Sequence, residues 1–453
     1  MDREKNRKKL PKWAVAVIII AAAAVIALVI ILAIRLNAKE GTSDAKEGQE
    51  THEDGTDSQD AAGEDSDDTD ADEAAGETSW SYEDGTLTIS GSGNMENYEA
   101  EGAPWYSYAD EITTLVIEEG ITGIGDYSFY ACTSLSTISI PSTVTKIGDY
   151  AFAFCESIVA FDLSGDITGI GDWAFYGCSG LVSIELPEEL SSLGTGTFAY
   201  CTSLASVTIP DTVTGIGGYC FYCCNTLNEI TVPENVSEIG GKAFSFCTAL
   251  DYIYVDSANE YYTDADGVLF SADMQTLVAY PGGNDDADDY VYDIPESVCT
   301  IEAGAFEGNN WLSYINIPEG VTEIGEDAFN AGYWLEEINV DSANAAYSSE
   351  DGILYNKEKT ELIMYPMGKN DTLTYEIPET VETIGNYAFY LNLYLEELVI
   401  PASVTEIGDY ALYITYSLEN IYYTGSEEEW DAVDIADAND LSGYSLSFDY
   451  TAQ

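Results

Sequence analysis

Apolar residues recur in one short phrase along residues 112–249. It reads Leu135-x-x-Ile138-x-Ile140-Pro141-x-x-Val144-Thr145-x-Ile147-Gly148-x-x-Ala151-Phe152-x-x-Cys155 and then begins again. The Ile-Gly pairs, once Leu-Gly, start at Ile124, Ile147, Ile170, Leu193, Ile216 and Ile239, a constant step of 23 residues, as 147 less 124 shows. A fixed period in the twenties is the signature of a solenoid, because one coil cannot bury its apolar face alone and must stack on copies of itself. The segment Leu-x-x-Ile-x-Ile ends on alternating apolar positions, which predicts one strand per coil and a parallel sheet along one side. Phe129, Phe152, Phe175, Phe198, Phe221, Phe244, Phe306, Phe329 and Phe389, with Leu412 in the last place, are expected to form an internal aromatic spine. Each such ring buries roughly 150–250 Å². The glycine after the isoleucine is expected to supply a positive φ, and the proline after the strand to end the ladder of hydrogen bonds.

The pattern Ile-Pro-x-x-Val-Thr-x-Ile-Gly-x-x-Ala-Phe-x-x-Cys resembles the repeat of the BspA-like leucine-rich-repeat proteins of bacterial and some protist surfaces, over residues 80 to 448. The resemblance implies a curved leucine-rich-repeat solenoid used for adhesion or protein binding, and no shared catalytic residues. It also implies an N-terminal cap over 80–111, where Asp84-Gly85-Thr86-Leu87-Thr88-Ile89-Ser90-Gly91 reads as a turn and a strand and Pro104-Trp105 as an anchor. A C-terminal cap over 421–453 would hold Trp430. Between them, 112–420 is expected to form about ten coils with strands stacked about 4.8 Å apart.

The spacing breaks twice, from Ile239 to Ile301 and from Ile324 to Ile384. The two long steps echo each other: Asp256-Ser257-Ala258-Asn259, Asp266-Gly267-Val268-Leu269-Phe270 and Leu277-Val278-Ala279-Tyr280-Pro281 match Asp341-Ser342-Ala343-Asn344, Asp351-Gly352-Ile353-Leu354-Tyr355 and Leu362-Ile363-Met364-Tyr365-Pro366. Insertions near 256–294 and 341–377, each bearing a hairpin, are expected.

Upstream, Arg3, Lys5, Arg7, Lys8, Lys9 and Lys12 precede an uncharged run from Trp13 to Ile34. A helix over 13–34 would be about 33 Å long, enough to cross a bilayer. Bases before it and acids after it place 1–12 in the cytoplasm and the repeats outside the cell. A cleaved signal peptide has a shorter apolar region of about 7–15 residues and a small-x-small site. Here the only candidate site, Leu36-Asn37-Ala38, is poor, so a single-pass cell-membrane anchor is expected. Residues 35–79 are acidic, polar and without aromatics, as a disordered linker is.

The net charge of −68 comes from 82 acidic against 14 basic residues, and beyond Lys46 only Lys146, Lys242, Lys357, Lys359 and Lys369 are basic. That balance excludes nucleic acid as a partner. The one histidine, His52, lies in the linker and no arginine follows Arg35, so no Ser-His-Asp or Cys-His arrangement has a base in the repeats. No enzyme is expected; a glycosidase-like carboxylate pair is the weakest alternative. Cys132, Cys155, Cys178, Cys201, Cys224 and Cys247 share one phase of six coils. A line of thiols is not the convergent set zinc requires, and buried structural thiols are expected, with Cys220 facing inward in place of alanine. No cofactor is expected; calcium at acidic turns such as Asp285-Asp286 and Asp288-Asp289 stays open.

What remains is surface. The residues between the buried strand positions face the expected concave side: Thr137 and Ser139, Ser183 and Glu185, Ser206 and Thr208, then Tyr252, Tyr254, Tyr314, Asn316, Glu337, Asn339 and Tyr422. Tyrosine supplies rigid contact area with a polar tip. Tyr252, Tyr254, Tyr314, Asn316, Glu337, Asn339 and Tyr422 are therefore the expected ligand-binding residues, for an extracellular protein or glycoprotein. A carbohydrate-binding or cell-wall-associated module is the alternative. A second row, Tyr127, Tyr150, Trp173, Tyr219, Tyr387 and Tyr410, reads as flank packing.

Overall fold

The computed structural model describes residues 76–451 apart from 164–165, 285–286 and 288–289. The expected cytoplasmic segment, the membrane helix over 13–34 and nearly all of the linker lie outside the described residues. Among those described, no helix is long and apolar enough to cross a membrane.

Each coil carries two parallel strands, not the single strand expected. In the first ladder Thr137–Ser139 pairs with Thr114–Ile117. In the second, Lys146–Ile147 pairs with Ile121–Ile124 on one side and Gly169–Ile170 on the other. Only two residues per coil enter the second ladder, too few to leave a period-2 signal in the sequence. The buried isoleucines and leucines of both ladders close over the phenylalanine spine. Its rings stack with centroids 5.2 Å apart for Phe129 and Phe152, 5.6 Å for Phe152 and Phe175, and 5.9 Å for Phe221 and Phe244.

The repeat glycine has a different cause from the one expected. Gly148, Gly171 and Gly408 are not among the residues of positive φ; the left-handed positions are the bulky residues two places later, Tyr127 (φ 54), Tyr150 (φ 53) and Trp173 (φ 56). What the glycine provides is close approach between coils. A Cβ on Gly148 would stand 2.3 Å from Asp126 Oδ1 and 2.7 Å from the Asp126 amide nitrogen, and Gly171 meets Asp149 at the same distances. Where an aspartate follows the glycine it clamps the contact, since Asp126 Oδ1 accepts from the Asp149 amide at 2.8 Å and Asp149 Oδ1 from the Asp172 amide at 2.8 Å. The thiol ladder is a second clamp. Cys155 Sγ donates to the Phe129 carbonyl at 3.2 Å and Cys178 Sγ to that of Phe152 at 3.1 Å. All six ladder cysteines and Cys220 are free and buried, and burial pushes Cys132, Cys178 and Cys247 up to about 12.

Both long steps are coils of the solenoid with a hairpin built in. In the first, Tyr262–Ala265 and Val268–Ser271 pair antiparallel around Asp266 (φ 51) and Gly267 (φ 79), the two left-handed residues that a type I′ turn needs. Thr276–Ala279 then runs antiparallel to the hairpin and parallel to Thr300–Ile301. In the second, Tyr347–Glu350 and Ile353–Asn356 turn at Asp351 (φ 50) and Gly352 (φ 76), and Glu361–Met364 pairs with Thr383–Ile384. Tyr280 stacks on Phe306 and Tyr365 on Phe389, each at 5.3 Å, in the places of spine phenylalanines. The body therefore has more rungs than the ten coils expected. A reading keyed on Ile-Gly and Phe passes over coils that use neither.

Thr86–Asn94 opens both ladders, pairing with Thr114–Ile117 and with Ile121–Ile124, and Glu77–Glu83 covers its outer edge. Trp105 ends the spine, stacked on Phe129 at 5.9 Å with its Nε1 donating to the Ser128 carbonyl at 2.7 Å. At the other end a one-turn helix, Glu427–Trp430, is held by a capping box between Ser426 and Glu429, and buried Trp430 meets Tyr423 edge-on at 5.0 Å.

Candidate functional site

The seven residues expected on the binding face divide into three groups. Tyr252 and Tyr254 belong to Tyr252–Val255, which pairs with Glu229–Val232. Alternate strand residues share a face, so their rings stack at 5.6 Å and 15°. Tyr254 is 42% exposed. Tyr252 is half-buried beneath the hairpin turn, where a Cβ on Gly267 would lie 2.4 Å from its ring. That turn also ends the ladder here, since the Ile253 amide donates to the Gly267 carbonyl at 2.9 Å.

The ladder resumes at Val291–Asp293, followed in register by Tyr314–Ile317 and Glu337–Val340. Tyr314 stands opposite Glu337 and Asn316 opposite Asn339, so four predicted residues form one patch. It has a polar edge that sequence reasoning did not find. Asn316 Nδ2 donates to Asp293 Oδ1 at 2.6 Å, and the Tyr314 hydroxyl donates to Glu336 Oε2 at 3.2 Å. The Glu336 carboxylate raises the Tyr314 hydroxyl above its ordinary value. Asp293 stands one 23-residue step before Asn316, but its strand reads Val291-Tyr292-Asp293 and lacks the Leu-x-x-Ile-x-Ile phrase that marks the other strands.

Tyr422 lies elsewhere, in Asn420–Tyr423 beside Glu397–Ile400. Its hydroxyl donates to Glu397 Oε1 at 3.3 Å and its ring stacks on Tyr450 at 4.5 Å. Tyr450 belongs to the cap, where no repeat points to it.

The lysines offer these faces little relief from their acidity. Lys242 pairs with Asp327 at 2.5 Å, Lys359 with Glu350 at 2.8 Å and Lys369 with Asp371 at 3.1 Å, and Lys357 donates to the carbonyl of Asn344. Among the described residues no group of three or more His, Cys, Asp or Glu side chains could hold a metal ion. The acidic turn at 285–289 lies mostly outside them.

On the flank, the row expected to be packing is a stacked ladder. Tyr127 and Tyr150 lie 4.8 Å apart, Tyr150 and Trp173 6.2 Å, and Trp173 and Tyr219 6.2 Å across Gly196. One layer inward, Tyr130, Phe154, Tyr176, Tyr200, Tyr222 and Phe246 meet largely edge to face. These rings alternate between two neighbouring phases, with Ala153, Gly177, Ala199 and Cys223 in the vacated places. The packing unit on this flank is thus a pair of coils.

The family described as BspA type leucine-rich repeat region matches the chain in six copies, over residues 102–201, 168–266, 291–370 and 367–432. A leucine-rich cell surface protein from Faecalibacterium prausnitzii, solved by crystallography, is 30% identical over 81% of this chain and 97% of its own, with a TM-score of 0.57. A leucine-rich repeat protein from Eubacterium ventriosum is 22% identical over 82% and 92%, with a TM-score of 0.49. The pneumococcal vaccine antigen PcpA is 22% identical over 82% of each chain, with a TM-score of 0.44. The comparison with curated proteins found no match.

Proposed function

We propose, from the premise that this chain belongs to the BspA-type leucine-rich-repeat family, that it is a cell-surface binding module taking a protein or glycoprotein ligand on the first sheet. The observation that carries this reading is the in-register patch of Tyr314, Asn316, Glu337 and Asn339, with Tyr254 exposed on the strand before the hairpin turn. Tyrosine and asparagine on a rigid sheet give contact area and hydrogen bonds at little cost in side-chain entropy. The acidic field favours a basic or neutral partner. The apolar run from Trp13 to Ile34 supplies the anchor and the acidic residues up to 79 the reach, so the repeats face outward from the membrane.

The test is capture of extracellular-matrix proteins and glycans by the full chain on arrays, with and without calcium. The parent should retain a protein or glycoprotein that a Tyr254→Ala, Tyr314→Ala, Asn339→Ala variant loses by tenfold or more. Equal capture by parent and variant would remove the first sheet from the reading. Capture of bare glycans alone would transfer it to the carbohydrate-binding class.

A further inference from the structure

The aromatic flank is interrupted once. In its outer row the rungs between Tyr219 and Tyr387 carry Lys242, Gly304 and Asp327, and in the inner row those between Phe246 and Tyr390 carry Glu307 and Asn330, with Ser245 next to Phe246. The interruption lies where the first hairpin coil is cut short on this side, so that the Phe246 amide donates directly to the Glu307 carbonyl at 3.1 Å. Most members of this polar island have partners. Lys242 Nζ donates to Asp327 Oδ2 at 2.5 Å, Asn330 Nδ2 to Asp327 Oδ1 at 2.5 Å, and Ser245 Oγ to the Gly304 carbonyl at 3.1 Å.

Glu307 has Ser245 and the Lys242 charge beside it, but one of its oxygens is left over. Its residue is 9% exposed, and its Oε2 is buried with no hydrogen-bond partner. Such an atom is costly unless something fills its lone pairs. Glu307 lines a cavity of about 250 Å³ between the hairpin and the flank, shared with Ser245, Thr276, Tyr261, Tyr262 and Glu302. Gly304 keeps the head of the cavity clear: a Cβ there would stand 2.6 Å from Lys242 Cγ, 2.8 Å from Ser245 Oγ and 3.1 Å from Glu307 Oε2.

We propose that this cavity binds a primary alkylammonium group, with Glu307 Oε2 as its counter-charge and the tyrosines at the mouth as its walls. The inference is independent of the first-sheet reading. Lys242 is already engaged by Asp327, so the island has one carboxylate more than it has cations. An ammonium supplies both the missing hydrogen bond and the missing charge. Tyr261, 53% exposed, and half-buried Tyr262 offer ring faces that attract a cation. The group could come from a free amine or from a lysine side chain of a protein partner.

Burial, helped by the Asp327 carboxylate, drives the Glu307 carboxyl up to about 7 against the opposing pull of Lys242 and of a hydrogen bond from Ser245. The other titratable groups facing it are Asp327, Tyr200, Tyr222, Cys223 and Tyr390. Burial pushes those tyrosines and the thiol up. For Lys242, burial opposes the charge, but Glu307 and Asp327 more than offset it and raise the ammonium. Near neutrality Glu307 is therefore the group that changes charge, and an ammonium ligand binds its ionised form.

The experiment is calorimetric titration of the full chain with 1,5-diaminopentane, with a lysine-rich peptide and with the uncharged 1,5-pentanediol, from pH 6 to pH 8. Diamine or peptide should bind, more tightly as pH rises, and the diol should not. Binding of the peptide without the diamine would support the proposal, and assign the source to a protein lysine, only where Glu307→Gln abolishes it; peptide binding that survives Glu307→Gln would overturn the proposal. Glu307→Gln, which keeps the shape, should weaken binding at least tenfold and flatten the pH dependence, while Gly169→Ala, remote from the cavity lining, leaves it unchanged. Binding of neither amine, equal binding of the diol, or full binding by a Glu307→Gln chain with an unaltered melting transition would overturn the proposal.

Discussion

At the scale of single residues, the informative positions are those where a repeat residue is replaced and the replacement is buried. Glu307 follows Phe306 in the phase that holds Tyr130, Tyr176 and Tyr222 in other coils. The substitution is visible in the sequence; its burial without a hydrogen bond to Oε2 is not. It has a consequence for stability. The carboxyl titrates near 4.5 when unfolded and about 7 when folded, so between those values the folded chain keeps a proton that the unfolded chain has lost. Stability is therefore lost as pH rises through that window and stays lower above it. Glu307→Gln removes the titration. Its stability relative to the parent should rise by about 3 kcal/mol between pH 4 and pH 8, measured by equilibrium denaturation. A difference independent of pH would show that the carboxyl is not buried in this way.

At the scale of the coil, the sequence shows that a glycine is required but misleads about why. Positive φ falls on Tyr127, Tyr150 and Trp173, and the glycine is there because the preceding coil's backbone passes too close for a Cβ. The two explanations predict different outcomes for alanine. Gly148→Ala meets the Asp126 amide nitrogen at 2.7 Å, a backbone atom that cannot move aside alone, and should cost about 2–3 kcal/mol. Gly169→Ala, with nothing within 4 Å of the added carbon, should be neutral or stabilising by about 0.5–1 kcal/mol. Denaturation midpoints of the two variants decide the matter; similar losses at both sites would restore a purely conformational role. The same scale explains the hairpin coils. Asp-Gly turns between apolar runs are legible as hairpins, but that Tyr280 and Tyr365 continue the spine is evident only once their rings are found on Phe306 and Phe389.

At the scale of the whole described body, each coil touches chiefly its neighbours, so stability should be local in the way that stacked repeats allow. Apolar packing runs as one cluster from Leu87 to Ala279, and another stretches from Ile353 to Trp430. Phe152→Ala removes a ring stacked on both Phe129 and Phe175, a change that costs about 3–5 kcal/mol. Native-state hydrogen exchange should show protection falling around Thr137–Ser139 and Ser183–Glu185 while Glu397–Ile400 and Asn420–Tyr423 keep theirs. Equal loss at both ends would mean that the solenoid opens as one unit.

The sequence by itself determined the solenoid, the phenylalanine spine, the thiol ladder and the hairpin turns. Each is written as a period or a turn dipeptide, and stacking identical coils leaves few other ways to bury those residues. Only the tertiary structure decided the second strand ladder, the close approach at the repeat glycines with its aspartate clamps, the division of the expected binding residues among three sheets and the buried carboxylate at Glu307. All four depend on which coil lies against which, and at the shortened hairpin coil that adjacency joins residues such as Phe246 and Glu307 that no fixed period connects.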